Sequence, residues 1–393
     1  MTRPRRTLIG IAVTAVLAYA AVSIAFDRTP ALAMPTFGQA YGVSCSQCHT
    51  AVPTLNAYGR YVQRSQYAYL DAATLKKALP IWLNYQATYD SQAGSPDTHK
   101  VVFGNVALHA VGLAGDNFSY HIQQWIKLDN QGGPLDTAWV SYNNLFKHNG
   151  YVEVGKLEVP APSPYSMWAE VAPFALPGVT VGEHAYQLDG NRWGAKVGYL
   201  KGSVSLDAAY VGSDADLNGA SDFVPGNGKA LQYRAAIMSP KKPLEVGIYG
   251  TTGTFPISDG LTDRYSALAG YVQRDPMHGI PGVFFVYQTT HDSYPTAGAT
   301  GPANGRGYTL NFYQPIYRDK VVIGFRREMT DDGLGTVNHY GNIDLTVQIA
   351  KYLRLYTEVG LSGSNAGNGV DRIGTPAWRA FVWWTMPVSK AKH

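Results

Sequence analysis

From Pro80 onward, apolar and polar residues alternate with a period of two, not 3.6. This is the pattern of strands whose two faces meet different surroundings. The clearest run is Tyr340–Ile349, where Ile343, Leu345, Val347 and Ile349 alternate with Asn342, Asp344, Thr346 and Gln348. Val204, Leu206, Ala208 and Tyr210 alternate with Ser203, Ser205, Asp207 and Ala209, and Ile323 and Phe325 with Gly324 and Arg326. Charges at mid-strand (Asp207, Arg326, Asp344, Glu358) need water on one face: the outside of a soluble sandwich, or the lumen of a membrane barrel.

Connection lengths separate those two architectures. About sixteen strand-like runs are expected, with centres from Leu83 to Val382. Short links such as Gly115-Asp116, Lys147–Gly150, Lys201-Gly202, Ser239–Pro243 and Lys351-Tyr352 alternate with long ones such as Pro160–Gly190, Gly212–Lys229, His291–Arg306 and Ser362–Pro376. Short turns on one side and long loops on the other are the habit of outer-membrane barrels, and an even strand count returns both ends to the short-turn side. Trp378, Phe381, Trp383 and Trp384 in the last run read as an interfacial girdle. The predicted fold is therefore mostly β: an antiparallel outer-membrane barrel over Pro80–His393, with lipid around it.

Composition narrows the classes. With 15% charged and 12% aromatic residues the chain is not a disordered one, and a mean hydropathy of -0.15 is too polar for a bundle of membrane helices. The long links are acid-rich, with Asp97, Asp129, Glu183, Asp214, Asp292 and Asp332 among them, whereas Lys147, Lys201, Lys241, Lys320 and Lys351 sit in the short turns. Solvated loops explain this equally well as an acidic outer mouth that concentrates cations such as Fe(II). No fixed metal-site spacing is present.

The first 33 residues change the charge picture. Arg3, Arg5 and Arg6 precede an apolar core from Leu8 to Phe26, and Ala31-Leu32-Ala33 has the small-x-small form of a cleavage site. Met1–Ala33 thus reads as an export signal, with an uncleaved inner-membrane anchor as the rival. It carries four arginines and one aspartate, so its removal takes the net charge from +4 to +1. Nothing in that balance points to nucleic acid.

The chain has two cysteines, and they form Cys45-Ser46-Gln47-Cys48-His49. C-x-x-C-H is the attachment motif of c-type haem: both thiols bond the porphyrin, and the adjacent His49 becomes the proximal iron ligand. A zinc site would need further ligands nearby, and a disulfide would not need the histidine. One covalent haem c is expected on Cys45 and Cys48. The sixth ligand is open: Met34, Met167, His109, His121, His184 and His291 are candidates, as is an unfilled position. The segment holding the motif, Met34–Leu79, is a small helical domain with Asp71–Ala78 as a capped turn or two. It is too small to shield a haem alone, so it needs a partner surface, which the rest of the chain can supply.

Pro35-Thr36-Phe37-Gly38, Gly42-Val43-Ser44 through His49, Pro53, Leu55 and Gly59-Arg60 resemble the outer-membrane cytochrome–porin fusions of iron-oxidising bacteria, and Gly155-Lys156-Leu157 is a further loose match. Tyr61 stands where that family has Phe. The resemblance covers roughly Met34–Gly59 at motif level and is architectural beyond it. It implies a haem in or under a barrel that takes electrons from extracellular Fe(II), or another reductant, and passes them to a periplasmic cytochrome or copper protein. Such one-electron chemistry needs no catalytic acid or base. Other readings are a porin whose haem is structural or sensory, an extracellular reductase running electrons outward, and a haem peroxidase, for which no distal acid–base pair is visible. A soluble β-propeller would show a blade repeat, and none is apparent.

Overall fold

The computed structural model describes residues 35–52, 54–75, 80–90, 101–128, 131–158, 175–212, 229–277, 279–317, 320–350, 352–366, 372–373 and 377–387. The export signal, Met34, Met167 and the C-terminal 388–393 lie outside them.

Among the described residues, sixteen strands of eight residues or more close into one antiparallel barrel. In chain order they are β1 Ile81–Asp90, β2 Val101–Leu113, β3 Phe118–Leu128, β4 Leu135–Leu145, β5 Gly150–Leu157, β6 Arg192–Lys201, β7 Val204–Gly212 and β8 Lys229–Ile237. Then follow β9 Leu244–Pro256, β10 Thr262–Arg274, β11 Gly282–Asp292, β12 Ala303–Tyr317, β13 Val321–Asp331, β14 Thr336–Ala350, β15 Leu353–Ala366 and β16 Ala377–Pro387. Each pairs with its sequence neighbour, and β16 closes on β1 with Val382 opposite Ala87. Closure leaves no free sheet edge. Every expected strand centre falls in one of these strands.

The period of two sorts side chains as expected. In β11, Phe284, Val286, Gln288, Thr290 and Asp292 are buried inside, while Phe285, Tyr287 and Thr289 face out. Leu206 and Tyr210, Ile323 and Phe325, and Ile343 belong to an exposed apolar outer face. The mid-strand charges turn inward and pair: Arg234 with Asp207, Lys196 with Glu153 at 2.9 Å, and Arg326 with Glu328 at 3.3 Å. Opposite charges on neighbouring strands, or two residues apart on one strand, thus offset the penalty of burying either alone.

Two expectations need correction. The outer links are not uniformly long: 257–261 joins β9 to β10 and 332–335 joins β13 to β14. The aromatics of β16 do not form a single outward girdle either. Trp384 is exposed, but Phe381 and Trp383 are buried in the lumen, where Phe381 stacks on Tyr356 at 4.5 Å and 8°. Residues one apart on a strand must point to opposite faces, so a dense aromatic run is necessarily split between them.

The N-terminal segment lies inside the barrel at its short-turn end. It holds three helices, α1 Pro35–Tyr41, α2 Ala57–Arg64 and the single turn α3 Ala72–Leu75, plus a small ladder between His49–Ala51 and Thr54–Leu55. Asn56 caps α2 by accepting from Gly59 N, and Asp71 caps α3 by accepting from Thr74 N at 2.8 Å. Of the expected helix Asp71–Ala78, the part beyond Leu75 lies outside the described residues. Phe37, Val62 and Tyr67 pack in one apolar cluster with Trp82, Val111, Trp139 and Leu157 of the wall, and Tyr67 stacks on Trp139 at 5.9 Å. The segment thus obtains from the barrel the core that its length denies it.

Candidate functional site

The C-x-x-C-H motif forms a single 3-10 turn, Cys45–Gln47, closed by the Cys48 N–H donating to the Cys45 carbonyl at 3.1 Å. Cys45 and His49 are buried and Cys48 is half-buried; the two thiols are not joined to each other. Asn56 fixes the turn by donating to the carbonyls of Ser46 and Gln47. Helix α2 then packs directly on it. A Cβ on Gly59 would lie 2.1 Å from the Cys48 carbonyl oxygen, so only glycine permits this approach. Burial, with a smaller contribution from Cys45, pushes the Cys48 thiol up to about 12.

The wall beside the turn belongs to β15 and the residue before it. Cys45 packs with Val52 and Tyr352, and Tyr356 Oη donates to the Val52 carbonyl. Arg354, 4% exposed, reaches Cys45 Sγ with Nη2 at 3.2 Å. Its Nε has no hydrogen-bond partner, and Arg354 makes no ion pair among the described residues. A buried guanidinium without a carboxylate is costly unless an anion joins it. Its contact with Cys45 Sγ sets a positive charge beside the atom through which a haem would be attached. Sequence reasoning missed Arg354, because its role depends on a contact across 309 residues.

A second set of contacts holds α2 to the wall. Arg60 Nε lies 2.8 Å from Glu245 Oε2 on β9, and its Nη1 lies 2.8 Å from Asp275 Oδ1 in the turn after β10. Ala57 N donates to Asp275 Oδ2 at 2.7 Å, and Tyr271 Oη to Glu245 Oε1 at 2.8 Å.

The structure separates the sixth-ligand candidates. His184 and His291 lie at the long-loop end, away from the motif: His184 in a hairpin of Thr180–Val181 with His184–Ala185, and His291 exposed near the end of β11. His109 and His121 lie in the lumen nearer the short-turn end; His109 stacks on Trp82 at 4.7 Å, and the His109 and His121 rings stand 6.2 Å apart. Met34 and Met167 lie outside the described residues.

At the long-loop end, residues 175–191 fold inward over the lumen. Leu176, Val179, Val181, Tyr186 and Leu188 are buried there, and Gln288 Nε2 donates to the Leu176 carbonyl at 3.2 Å. Glu183 clamps the hairpin by accepting from Ala297 N, Ser258 N and Ser258 Oγ at 2.7–2.9 Å. These bonds, Ala297's first, hold its carboxyl below the usual carboxylate range.

No family model matches the chain, and no curated protein does. Solved structures match strongly in shape. The chain is similar to the anion-selective porin of Comamonas acidovorans (TM-score 0.57, 12% identity), covering 78% of this chain and 98% of that one. It is also similar to Pseudomonas putida OprB (TM-score 0.54, 12% identity), over 86% of this chain and 100% of OprB. Vibrio cholerae OmpT in its trimer form gives a TM-score of 0.54 at 11% identity, over 78% and 98%. At these identities the likeness is one of fold: the barrel is that of the outer-membrane porins.

Proposed function

We propose that this chain is an outer-membrane electron conduit in which Cys45 and Cys48 carry one haem c and His49 is the proximal iron ligand. The observation that carries the reading is the position of the C-x-x-C-H turn. It is held inside a porin-type barrel, at the short-turn end, beside a buried arginine that makes no ion pair among the described residues. The bound haem supplies one-electron transfer at iron. The chain's own residues position and shield it. Asn56 and Gly59 fix the turn, Arg60 anchors α2 to the wall, and Arg354 sets a positive charge beside the Cys45 sulfur.

With short turns in the periplasm and long loops outside, as is the habit of such barrels, the motif would face the periplasm. An apolar band of about 25 Å is too thick for an unaided hop between donor and acceptor across it. A barrel lets an extracellular donor, Fe(II) on the family resemblance, approach through the outer mouth while a periplasmic cytochrome or copper protein collects the electron. Ferric product then stays outside.

The test adds Fe(II) anaerobically to the protein in membranes and follows the haem absorption bands. Rapid reduction is expected. Failure with Fe(II), together with ready reduction by other donors, sinks the iron assignment. Cys45→Ala and Cys48→Ala together should abolish covalent haem staining; haem retained in that variant refutes the attachment site. The porin likeness supports a second reading, a channel with a structural or sensory haem. It predicts steady solute conductance and no donor-linked reduction, whereas the segment lodged in the lumen favours a largely blocked pore.

A further inference from the structure

We infer that His184, Asp263 and Asp292 form a binding site for one divalent first-row transition-metal ion, at the point where the inward-folded segment 175–191 meets the barrel wall. The three residues come from distant parts of the chain: the hairpin His184–Ala185, the start of β10 and the end of β11. One ligand atom from each lies within 4.8 Å of the others, and all three residues are 0% exposed.

The surrounding bonds select which atoms converge. Tyr186 Oη donates to Asp292 Oδ2 at 2.8 Å, and Tyr294 N donates to Asp263 Oδ1 at 2.9 Å. Each carboxylate therefore has one oxygen tied back and the other aimed inward. The inward pair are Asp292 Oδ1, 2.7 Å from His184 Nδ1, and Asp263 Oδ2, 3.7 Å from it. Asp263 Oδ2 is buried and has no hydrogen-bond donor. Ligands about 2.0–2.2 Å from a common ion stand about 3–3.5 Å apart, and the 2.7 and 3.7 Å separations bracket that spacing. The imidazole is locked between Tyr186 at 4.0 Å and Phe255 at 4.5 Å, each inclined by 27° to it. Ring orientation is thus set before any ligand arrives, as a metal-binding histidine requires.

Charge makes the same point. Neither aspartate has a lysine or arginine partner among the described residues. A protonated His184 would offset one buried carboxylate and leave the other uncompensated, whereas a divalent ion offsets both. One imidazole with two carboxylates suits Mn(II), Fe(II), Co(II) or Zn(II) better than Ca(II), which seeks six to eight oxygens. The bound ion would fasten segment 175–191 to β10 and β11. The inference is independent of the haem.

The sequence contains the parts but not the site. No spacing signature joins residues 184, 263 and 292, and only the inward fold of the loop brings them together.

The experiment takes the full chain in detergent, strips it with EDTA and dialyses it against Mn(II), a probe distinct from haem iron. Metal per protein is then measured by plasma emission. Wild type should take up about one ion, and Asp263→Asn and His184→Gln should each bind at least about tenfold more weakly. Heat-modifiable gel mobility establishes that each barrel is folded. Should a variant not fold, protease cleavage within 175–191 of wild type gives the second measurement: Mn(II) slows it and EDTA restores it. Wild type that takes up no Mn(II), even when refolded in its presence, overturns the inference, as do folded variants that bind like wild type or cleavage indifferent to Mn(II).

Discussion

Arg60 Nε lies 2.8 Å from Glu245 Oε2, joining the N-terminal segment to the barrel across 185 residues of chain. Both side chains are almost fully buried, and Asp275 completes the group at 2.8 Å from Arg60 Nη1. Arg60→Ala removes the only cation that contacts both carboxylates among the described residues. Breaking such a buried pair costs about 3–5 kcal/mol, because the remaining charges stay desolvated. The segment should then undock while the barrel persists. Limited proteolysis should cleave within residues 35–75 of the variant, with heat-modifiable mobility of the barrel unchanged. Arg60→Lys should rescue only in part, since a lysine cannot span both acceptors in a fixed fork. High salt should change little, because the pair is screened from solvent.

Gly59→Ala tests the contact between α2 and the motif. The added methyl meets the Cys48 carbonyl at 2.1 Å, and a backbone atom cannot step aside as a flexible side chain can. A cost of about 3 kcal/mol is expected, expressed as a displaced helix. The measurement is the yield of haem-stained, protease-resistant N-terminal segment relative to wild type. Equal yield would show that the turn and helix do not need this close approach.

Arg354→Gln bears on the proposed haem. A positive charge near a redox centre favours the reduced state. At about 10 Å and an effective dielectric of about 20, one charge is worth about 1.7 kcal/mol, on the order of 70 mV. The variant's haem potential should fall by that order in a spectroelectrochemical titration. An unchanged potential would place Arg354 away from the haem.

Glu183 gives the outer hairpin a pH dependence. Its carboxyl is held below its ordinary value of 4.5 by donors from Ala297 and Ser258. A depressed folded-state value means that the stabilisation is complete above the ordinary value. It is lost as pH falls through the folded one. The hairpin should thus loosen only in acid below about 4.5. Protease accessibility of 175–191 near neutrality and at low pH would register this, and Glu183→Gln should make the two conditions more alike. Gly182 supports the same docking: with φ +62, a Cβ there would sit 2.0 Å from the Pro295 carbonyl oxygen, so Gly182→Ala should loosen the hairpin at every pH.

Strand number, strand faces and the alternation of short turns with loops were legible in the amino-acid order, because a barrel strand needs only local information. Its period of two separates lumen from outer face residue by residue, as Ile323, Gly324, Phe325 and Arg326 do. The run Cys45–His49 was visible as a motif, since it lies within five consecutive residues, and the haem it implies is the proposal made above. What local order could not supply was anything made by closure. That Phe381 and Trp383 turn inward follows from which face β16 presents once it pairs with β1. The pairing of Arg60 with Glu245, the approach of Arg354 to Cys45 and the meeting of His184 with Asp263 and Asp292 join residues 185, 309, 79 and 108 apart, and none leaves a spacing in the chain. Sequence alone determined that this chain is a barrel bearing a thiol-and-histidine turn. Tertiary structure decided that the turn lies inside the barrel, because a segment with too little apolar surface to fold alone gains its core, and its charge partners, only from the wall that surrounds it.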